Sequence, residues 1–343
     1  MADLRTHYLG LELRNPIILG SSDLSASLDN LLRAEEAGAG AIVLKSIFEE
    51  QFLLEGGLDS MEKSIFPEAR DYLQSRGLLA YAPAERLRLI EDAKKKISVP
   101  IIASLNCQSL EVWPVFARQL ADAGADALEL NIYFMPLEKE VSSQEIEKKM
   151  EQAVAVCHQA VSIPLAVKLP FQITALPHLA YRLEQAGAKA LVLFNWFLET
   201  EINLARRKLH YFRGHGQFSQ VLRWIGLLAG RVNCDLAASG GVMTAEAAVK
   251  LLLAGARAIQ VCRLVYERGF TALRTLVEGI ERWMIAQGYS RLDEFSGDLS
   301  WKELSLAYPD ESAAAGYFRL QYMKAYTGSQ NIRKRTESEE NEV

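Results

Sequence analysis

The chain is poor in the residues that mark several common kinds of chemistry. Its 343 residues include four cysteines, Cys107, Cys157, Cys234 and Cys262, no two of them close in sequence. Zinc and iron–sulfur sites need clustered thiolates, so no metal site is expected. Isolated thiols among apolar neighbours read as reduced cysteines of a cytoplasmic protein. Histidine is equally sparse. His7, His158, His178, His210 and His215 fall in expected helices or loops, with no Ser–His–Asp arrangement and no metal-ligand spacing. No uninterrupted apolar run reaches the roughly 18 residues of a membrane-spanning helix. Met1-Ala2-Asp3-Leu4-Arg5 leads into a polar stretch and does not read as a signal peptide. Net charge is −5, and the one basic cluster, Arg333-Lys334-Arg335, abuts the acidic stretch Glu337 to Glu342. Neither nucleic acid nor membrane is therefore an expected partner.

What the chain does have is a repeated phrase. Ala37-Gly38-Ala39, Ala123-Gly124-Ala125, Ala186-Gly187-Ala188 and Ala254-Gly255-Ala256 each close a helical pattern and precede a short apolar run. Glycine suits the left-handed position just past a helix, and small alanines let helix and strand approach. Reading outward from these phrases gives eight strands: Pro16–Ser22, Ala41–Ser46, Pro100–Asn106, Ala127–Ile132, Pro164–Leu169, Ala190–Asn195, Asp235–Gly240 and Ala258–Arg263. Most are continuous apolar runs, as in parallel strands covered on both faces. Helical spacing fills the intervals, for example Leu110–Ala123, Ser143–Ala160, Leu176–Ala186, Ala245–Leu253 and Thr271–Gln287. A further helix is expected over Ser312–Tyr326.

Eight βα units predict an α/β protein built as one (β/α)₈ TIM barrel in preference to an open doubly wound sheet. The expected domain is 1–327, followed by a disordered charged tail over 328–343. Two long βα loops interrupt the rhythm, Ile47–Pro83 after strand 2 and Phe197–Gly216 after strand 6. Loops of this kind lie on the active-site face of a barrel.

Barrel chemistry sits at the C-terminal ends of strands. Polar residues stand at nearly every one: Ser21, Ser22, Lys45, Ser46, Asn106, Asn131, Tyr133, Lys168, Asn195, Ser239, Cys262 and Arg263. Lys45 and Lys168 follow or interrupt apolar runs, so each needs a partner if buried. Three roles are open to them: a structural ion pair, a cation facing an anionic ligand or electron-rich ring, or a Schiff-base amine. Ser239-Gly240-Gly241-Val242 followed by Thr244 and a helix suits a phosphate, because glycine amides and a helix N-terminus form an anion site.

In order along the chain, Asn15-Pro16, Gly20-Ser21-Ser22, Lys45-Ser46, Glu129-Leu130-Asn131, Val167-Lys168-Leu169-Pro170, Asn195, Ser239-Gly240-Gly241-Val242 and Gln260-Val261 resemble the dihydroorotate dehydrogenases. The likeness is to their soluble class 1 members and covers roughly residues 6–300. It implies FMN as cofactor, with its phosphate near Gly240, Gly241, Cys262 and Arg263. It implies that Lys168 supports the flavin ring and that Ser21, Lys45, Ser46, Asn131 and Asn195 line the cofactor pocket. Lys45, Asn106, Asn131 and Asn195 would meet a small, anionic substrate whose CH–CH group gives a hydride to the flavin. A cytoplasmic homodimer in pyrimidine biosynthesis follows from the same resemblance.

Three departures qualify it. The family's strand 4 motif carries a cysteine or serine base, and Phe134 stands at that position here. Tyr133 is the neighbouring candidate, with a phenol pKa that would have to fall far below about 10. The family's substrate loop is reduced to a Gly-Leu around Ser75-Arg76-Gly77-Leu78. The Gly-Ser or Gly-Thr after strand 8 is Cys262-Arg263. Two alternatives stay open beside the oxidoreductase: a Schiff-base lyase or aldolase acting through Lys168 or Lys45, and a non-catalytic flavin-binding paralogue.

Overall fold

The computed structural model describes residues 2–49, 83–196, 198–204, 206–213 and 218–307. The expected helix over 312–326, the tail over 328–343, the substrate-loop remnant at 75–78 and His215 lie outside the described residues.

The chain opens with a hairpin of β1 (Thr6–Tyr8) and β2 (Leu11–Leu13), joined by Leu9 and Gly10, both with positive φ. Two left-handed residues give the turn that matches the twist of a two-residue hairpin. The barrel strands follow: β3 (Ile17–Leu19), β4 (Ala41–Val43), then a two-residue strand β5 (Ile47–Phe48), then β6 (Ile101–Asn106) and β7 (Ala127–Asn131). Next come β8 (Leu165–Pro170), β9 (Ala190–Asn195), a hairpin of β10 (Leu198–Asn203) and β11 (Lys208–Arg213), then β12 (Asp235–Ser239) and β13 (Ala258–Val261). Omitting the two hairpins and β5, eight strands pair in parallel, and pairing of β4 with β6 closes the ring. The protein is a (β/α)₈ barrel.

The helices between strands include α1 (Leu28–Glu36), α2 (Pro83–Lys96), α3 (Val112–Asp122), α4 (Ser143–Ala160), α5 (Leu176–Gln185), α6 (Phe218–Leu228) and α7 (Ala245–Ala254). A short α8 (Arg263–Arg268), a long α9 (Thr271–Gln287) and α10 (Trp301–Ala307) complete the described chain. Start signals are local: the Ser142 hydroxyl accepts from the Glu145 amide while the Glu145 carboxylate accepts from the Ser142 amide, a reciprocal cap. The glycines of all four repeated phrases have positive φ, as their place after a helix requires.

Strand alternation sorts side chains into two cores. Ile17, Leu19, Ile42, Leu128, Leu130, Val167, Leu191 and Ile259 face the helices. Ile18, Ala41, Val43, Ile102, Ala127, Ala166, Ala190, Ala237 and Ala258 face the barrel axis and pack against Tyr8, Leu9 and Leu13 of the first hairpin. The axial alanines leave room for the fully buried Tyr8 ring, so the hairpin plugs the barrel's N-terminal end.

Several expected boundaries shift. Strand 1 is only Ile17–Leu19, strand 2 stops at Val43, and strand 8 stops at Val261 because Arg263 already begins α8. His7 lies on β1 and His210 on β11, not in helices or loops. The loop after strand 6 is largely the hairpin β10–β11, with Ile202 paired to Leu209 and Thr200 to Tyr211.

Candidate functional site

A cavity of about 650 Å³ opens at the C-terminal ends of the strands. Parity explains its lining. Counting every second residue along each strand from the axial alanines leads from Ala127 to Glu129 and Asn131, from Ala166 to Lys168, and from Ala258 to Gln260 and Cys262. The barrel interior therefore changes from apolar at the bottom to polar at the top, without any break in the apolar outer faces of the same strands.

The structure brings most of the expected residues into one wall. Ser21, Lys45, Ser46, Asn131, Lys168, Asn195, Gly240, Gly241, Cys262 and Arg263 all line the cavity. The Ser21 hydroxyl accepts from the Ser46 amide at 3.0 Å, and the Ser46 hydroxyl lies 2.7 Å from that of buried Ser104. Asn195 Nδ2 donates to Asn131 Oδ1 at 2.8 Å. Asn106 stands one step behind, off the described cavity wall, where its Nδ2 donates to the Asn131 carbonyl at 2.8 Å.

Each cation of the wall has a carboxylate partner. Lys45 Nζ lies 2.5 Å from Asp23 Oδ1, and Arg263 Nε lies 2.6 Å from Glu267 Oε1 one helical turn on. Lys168 lies 3.5 Å from Glu129 and donates to Gln260 Oε1 at 2.9 Å, while the Gln260 amide donates to the other Glu129 oxygen. Both Lys168 and Glu129 are buried, at 8% and 1% side-chain exposure. An ammonium so placed survives only because the opposite charge is taken out of water with it.

At the other strand ends, Gly240 and Gly241 have φ of 117° and 74°. A Cβ on Gly240 would overlap the indole nitrogen of Trp196, and one on Gly241 would come within 2.8 Å of Phe218. Trp196 is held by a bond from its Nε1 to the Ser239 carbonyl at 2.9 Å and by stacking on Phe171. Immediately beyond, Thr244 caps α7 through the Ala247 amide at 3.3 Å. This is a bare backbone turn running into a helix N-terminus, the arrangement that receives phosphate groups.

Tyr133 is not brought to the wall. Its hydroxyl donates to Met135 Sδ at 3.0 Å, and desolvation raises its pKa above 10.0. A base needs the opposite shift and a place within reach of the reacting proton. Phe134 is buried under the Lys149 ammonium, which sits 4.2 Å from its ring centroid, and is likewise off the described wall. Sequence reasoning gave no role to Glu129, Gln260, Asp23 or Trp196. The signal for the first two was available: a carboxylate and an amide inside apolar strands, at the same parity as Lys168.

Comparison with known proteins agrees with this geometry. Residues 3–284 match the family model described as dihydroorotate dehydrogenase. The catalytic subunit of dihydroorotate dehydrogenase B (NAD(+)) from Pyrococcus abyssi is 30% identical over 303 residues, covering 86% of this chain and 98% of that protein. Its counterpart from Thermococcus kodakarensis is 31% identical, covering 87% and 98%. A putative dihydroorotate dehydrogenase A (fumarate) from Aeropyrum pernix is 26% identical, covering 86% and 97%. A barrel of this register, a glycine turn at the seventh strand and a match over most of the chain point the same way: this chain belongs to the dihydroorotate dehydrogenase family.

Proposed function

We propose that this chain is an FMN-dependent dehydrogenase that takes a hydride from a CH–CH group of a small substrate. The observation that carries the reading is one cavity holding both a side-chain-free glycine turn at a helix N-terminus and a buried lysine. The residues present fit FMN. Gly240, Gly241 and the start of α7 would hold its phosphate, with the Arg263 guanidinium beside them. Lys168 would stand against the ring, and Ser21, Ser46, Asn131 and Asn195 would bond its polar edge. When bound, FMN would supply the electron sink that no side chain provides. The chain's own contribution is a positive charge where the ring becomes electron-rich, and a polar wall from which Lys45, Asn131 and Asn195 orient the substrate, backed by Asn106. In this role Lys168 is the catalytic residue.

At the strand 4 position where the family carries a cysteine or serine base, this chain has the buried Phe134. Tyr133, the sequence-based candidate, is turned to Met135. The buried Phe134 therefore supports a second reading: a paralogue that keeps FMN and has left dihydroorotate behind. The Schiff-base reading gains no support, because Lys45 and Lys168 are both held as ion pairs and the nucleophile there must be a neutral amine. The assignment to an anionic substrate, a homodimer and pyrimidine biosynthesis rests on the resemblance, that to the cytoplasm also on the isolated cysteines, and the single domain over 1–327 on the eight βα units. Among the described residues no helix is long and apolar enough to cross a membrane.

The test is absorbance. Purified chain incubated with FMN should become yellow and retain the colour through desalting; a colourless product refutes the reading. Anaerobic mixing with dihydroorotate then separates the two versions. Rapid bleaching of the flavin band means dihydroorotate is the substrate. An unbleached flavin that dithionite still reduces means a changed substrate. Relatives are named for NAD(+) and for fumarate, so reoxidation of photoreduced protein by either identifies the acceptor.

A further inference from the structure

Glu129 of β7, Lys168 of β8 and Gln260 of β13 meet across the barrel axis at sequence separations of 92 and 131 residues. Lys168 and Gln260 reach the cavity wall, whereas Glu129 lies beneath it with no exposed surface. The bonds run in one direction. The ammonium donates to the Gln260 carbonyl oxygen, and the Gln260 amide donates to Glu129 Oε2. Glu129 Oε1 accepts no hydrogen bond and faces the Lys168 ammonium at 3.5 Å.

This differs from an ordinary structural pair in two ways. The Gln260 amide is fixed at both ends, so its dipole turns its negative end to the ammonium and it cannot flip without losing both bonds. A carboxylate oxygen with no hydrogen bond among the described residues is also retained in the barrel interior, where an unpaired charge is costly, and the Lys168 ammonium is the charge that offsets it. Nearby groups do not compete. Burial, and then the field of Glu129, push the Tyr8 phenol far up, so it stays neutral. Lys45 and Arg263 have their own carboxylates.

We propose that Glu129, acting through Gln260, is a positioning residue that holds the Lys168 ammonium in place and aimed into the cavity, and thereby sets the redox potential of the flavin held there. The inference rests on the FMN reading above. A fixed cation stabilises the electron-rich reduced ring relative to the oxidised one. Remove the buried anion, and the ammonium loses both the charge and the bonded amide that hold it against the ring.

The experiment compares FMN-loaded wild type with Lys168→Met, Glu129→Gln, Glu129→Asp and Gln260→Met. It reads the flavin midpoint potential by dye equilibration and the dissociation constant for sulfite, an anion that adds preferentially to electron-poor flavins. Lys168→Met should lower the potential and weaken sulfite binding at least about tenfold. Glu129→Gln should shift both in the same direction by a comparable amount, although residue 129 touches neither flavin nor cavity. Gln260→Met should shift them less, and Glu129→Asp should restore most of the loss. In the two Glu129 variants the FMN dissociation constant should hold within about threefold, since residue 129 does not line the cavity.

If Lys168→Met moves the potential and Glu129→Gln does not, the inference falls and the FMN reading stands. A rise in potential in Glu129→Gln also overturns it, because Glu129 would then merely oppose Lys168. Should Glu129→Gln fail to fold, Gln260→Met keeps both charges and decides the matter: an unchanged potential sinks the inference. If wild type takes up no FMN, or Lys168→Met leaves the potential unmoved, the reading on which the inference rests has failed.

Discussion

Substituting Gly240 by alanine perturbs the fold and the proposed cofactor grip at one atom. The residue sits at φ 117°, and its added Cβ would overlap the Trp196 indole nitrogen. The left-handed backbone alone costs about 1–2 kcal/mol for a residue with a side chain. Relief of the overlap requires Trp196 to move, which breaks its 2.9 Å bond to the Ser239 carbonyl, worth about 1 kcal/mol. It also disturbs the stack on Phe171, with centroids 5.5 Å apart, worth about 0.5–1.5 kcal/mol. Together these predict a loss of about 2–5 kcal/mol in urea unfolding. FMN affinity should fall at least about tenfold by fluorescence titration, since relieving the overlap shifts the backbone turn that would hold the phosphate. Gly288→Ala is the control. It also has positive φ (82°) but no atom within 4 Å of its new Cβ, so it should show the backbone penalty alone and normal FMN binding. A Gly240→Ala protein as stable as wild type that binds FMN within about twofold would refute both the clash and the phosphate turn.

Asp235 accepts the Leu9 amide at 2.8 Å where the first hairpin meets the barrel, and desolvation raises its carboxyl above 3.8. A raised folded-state pKa stabilises below the unfolded value and loses that contribution as pH rises through the folded one. Asp235→Asn should therefore gain on wild type as pH rises from about 4 in paired thermal melts; a difference that stays constant with pH rejects the assignment. Tyr8→Phe removes a buried hydroxyl that has no hydrogen-bond partner among the described residues, so chemical denaturation should find it equal to wild type or up to about 1 kcal/mol more stable. A clear loss of stability would show that the hydroxyl is bonded. Burial pushes the Cys157 and Cys234 thiols up to about 12, so iodoacetamide at pH 8 should leave both unmodified in native protein and modify both after unfolding. Native labelling at the unfolded rate would contradict that burial.

Much of the architecture was written locally. The Ala-Gly-Ala phrases mark where helices stop, and the continuous apolar runs mark strands covered on both faces. The alternation of the two is enough for a barrel, because each element's burial pattern follows from neighbours within a few residues. The polar strand ends were legible for the same reason, and ten of them do share one cavity wall. The N-terminal hairpin escaped notice because three-residue strands carry almost no periodicity. The hairpin after β9 was hidden by the mixed polar and apolar residues of an exposed ribbon.

Tertiary structure decided which of the polar residues act together. Tyr133 and Asn106 stand at strand ends like the others, yet the first turns to Met135 and the second backs up Asn131. Nothing local distinguishes them, since a side chain's direction past the last strand residue depends on how the loop leaves the barrel. Glu129 reads in sequence as one acid in an apolar strand. Only closure of the ring, which brings β7, β8 and β13 to a common axis, sets it under Lys168 with Gln260 between them. The sequence determined that this chain forms a barrel with a polar mouth; the register of eight strands determined which charge stands beneath the lysine, because contacts across an axis depend on stagger and parity summed around the whole ring.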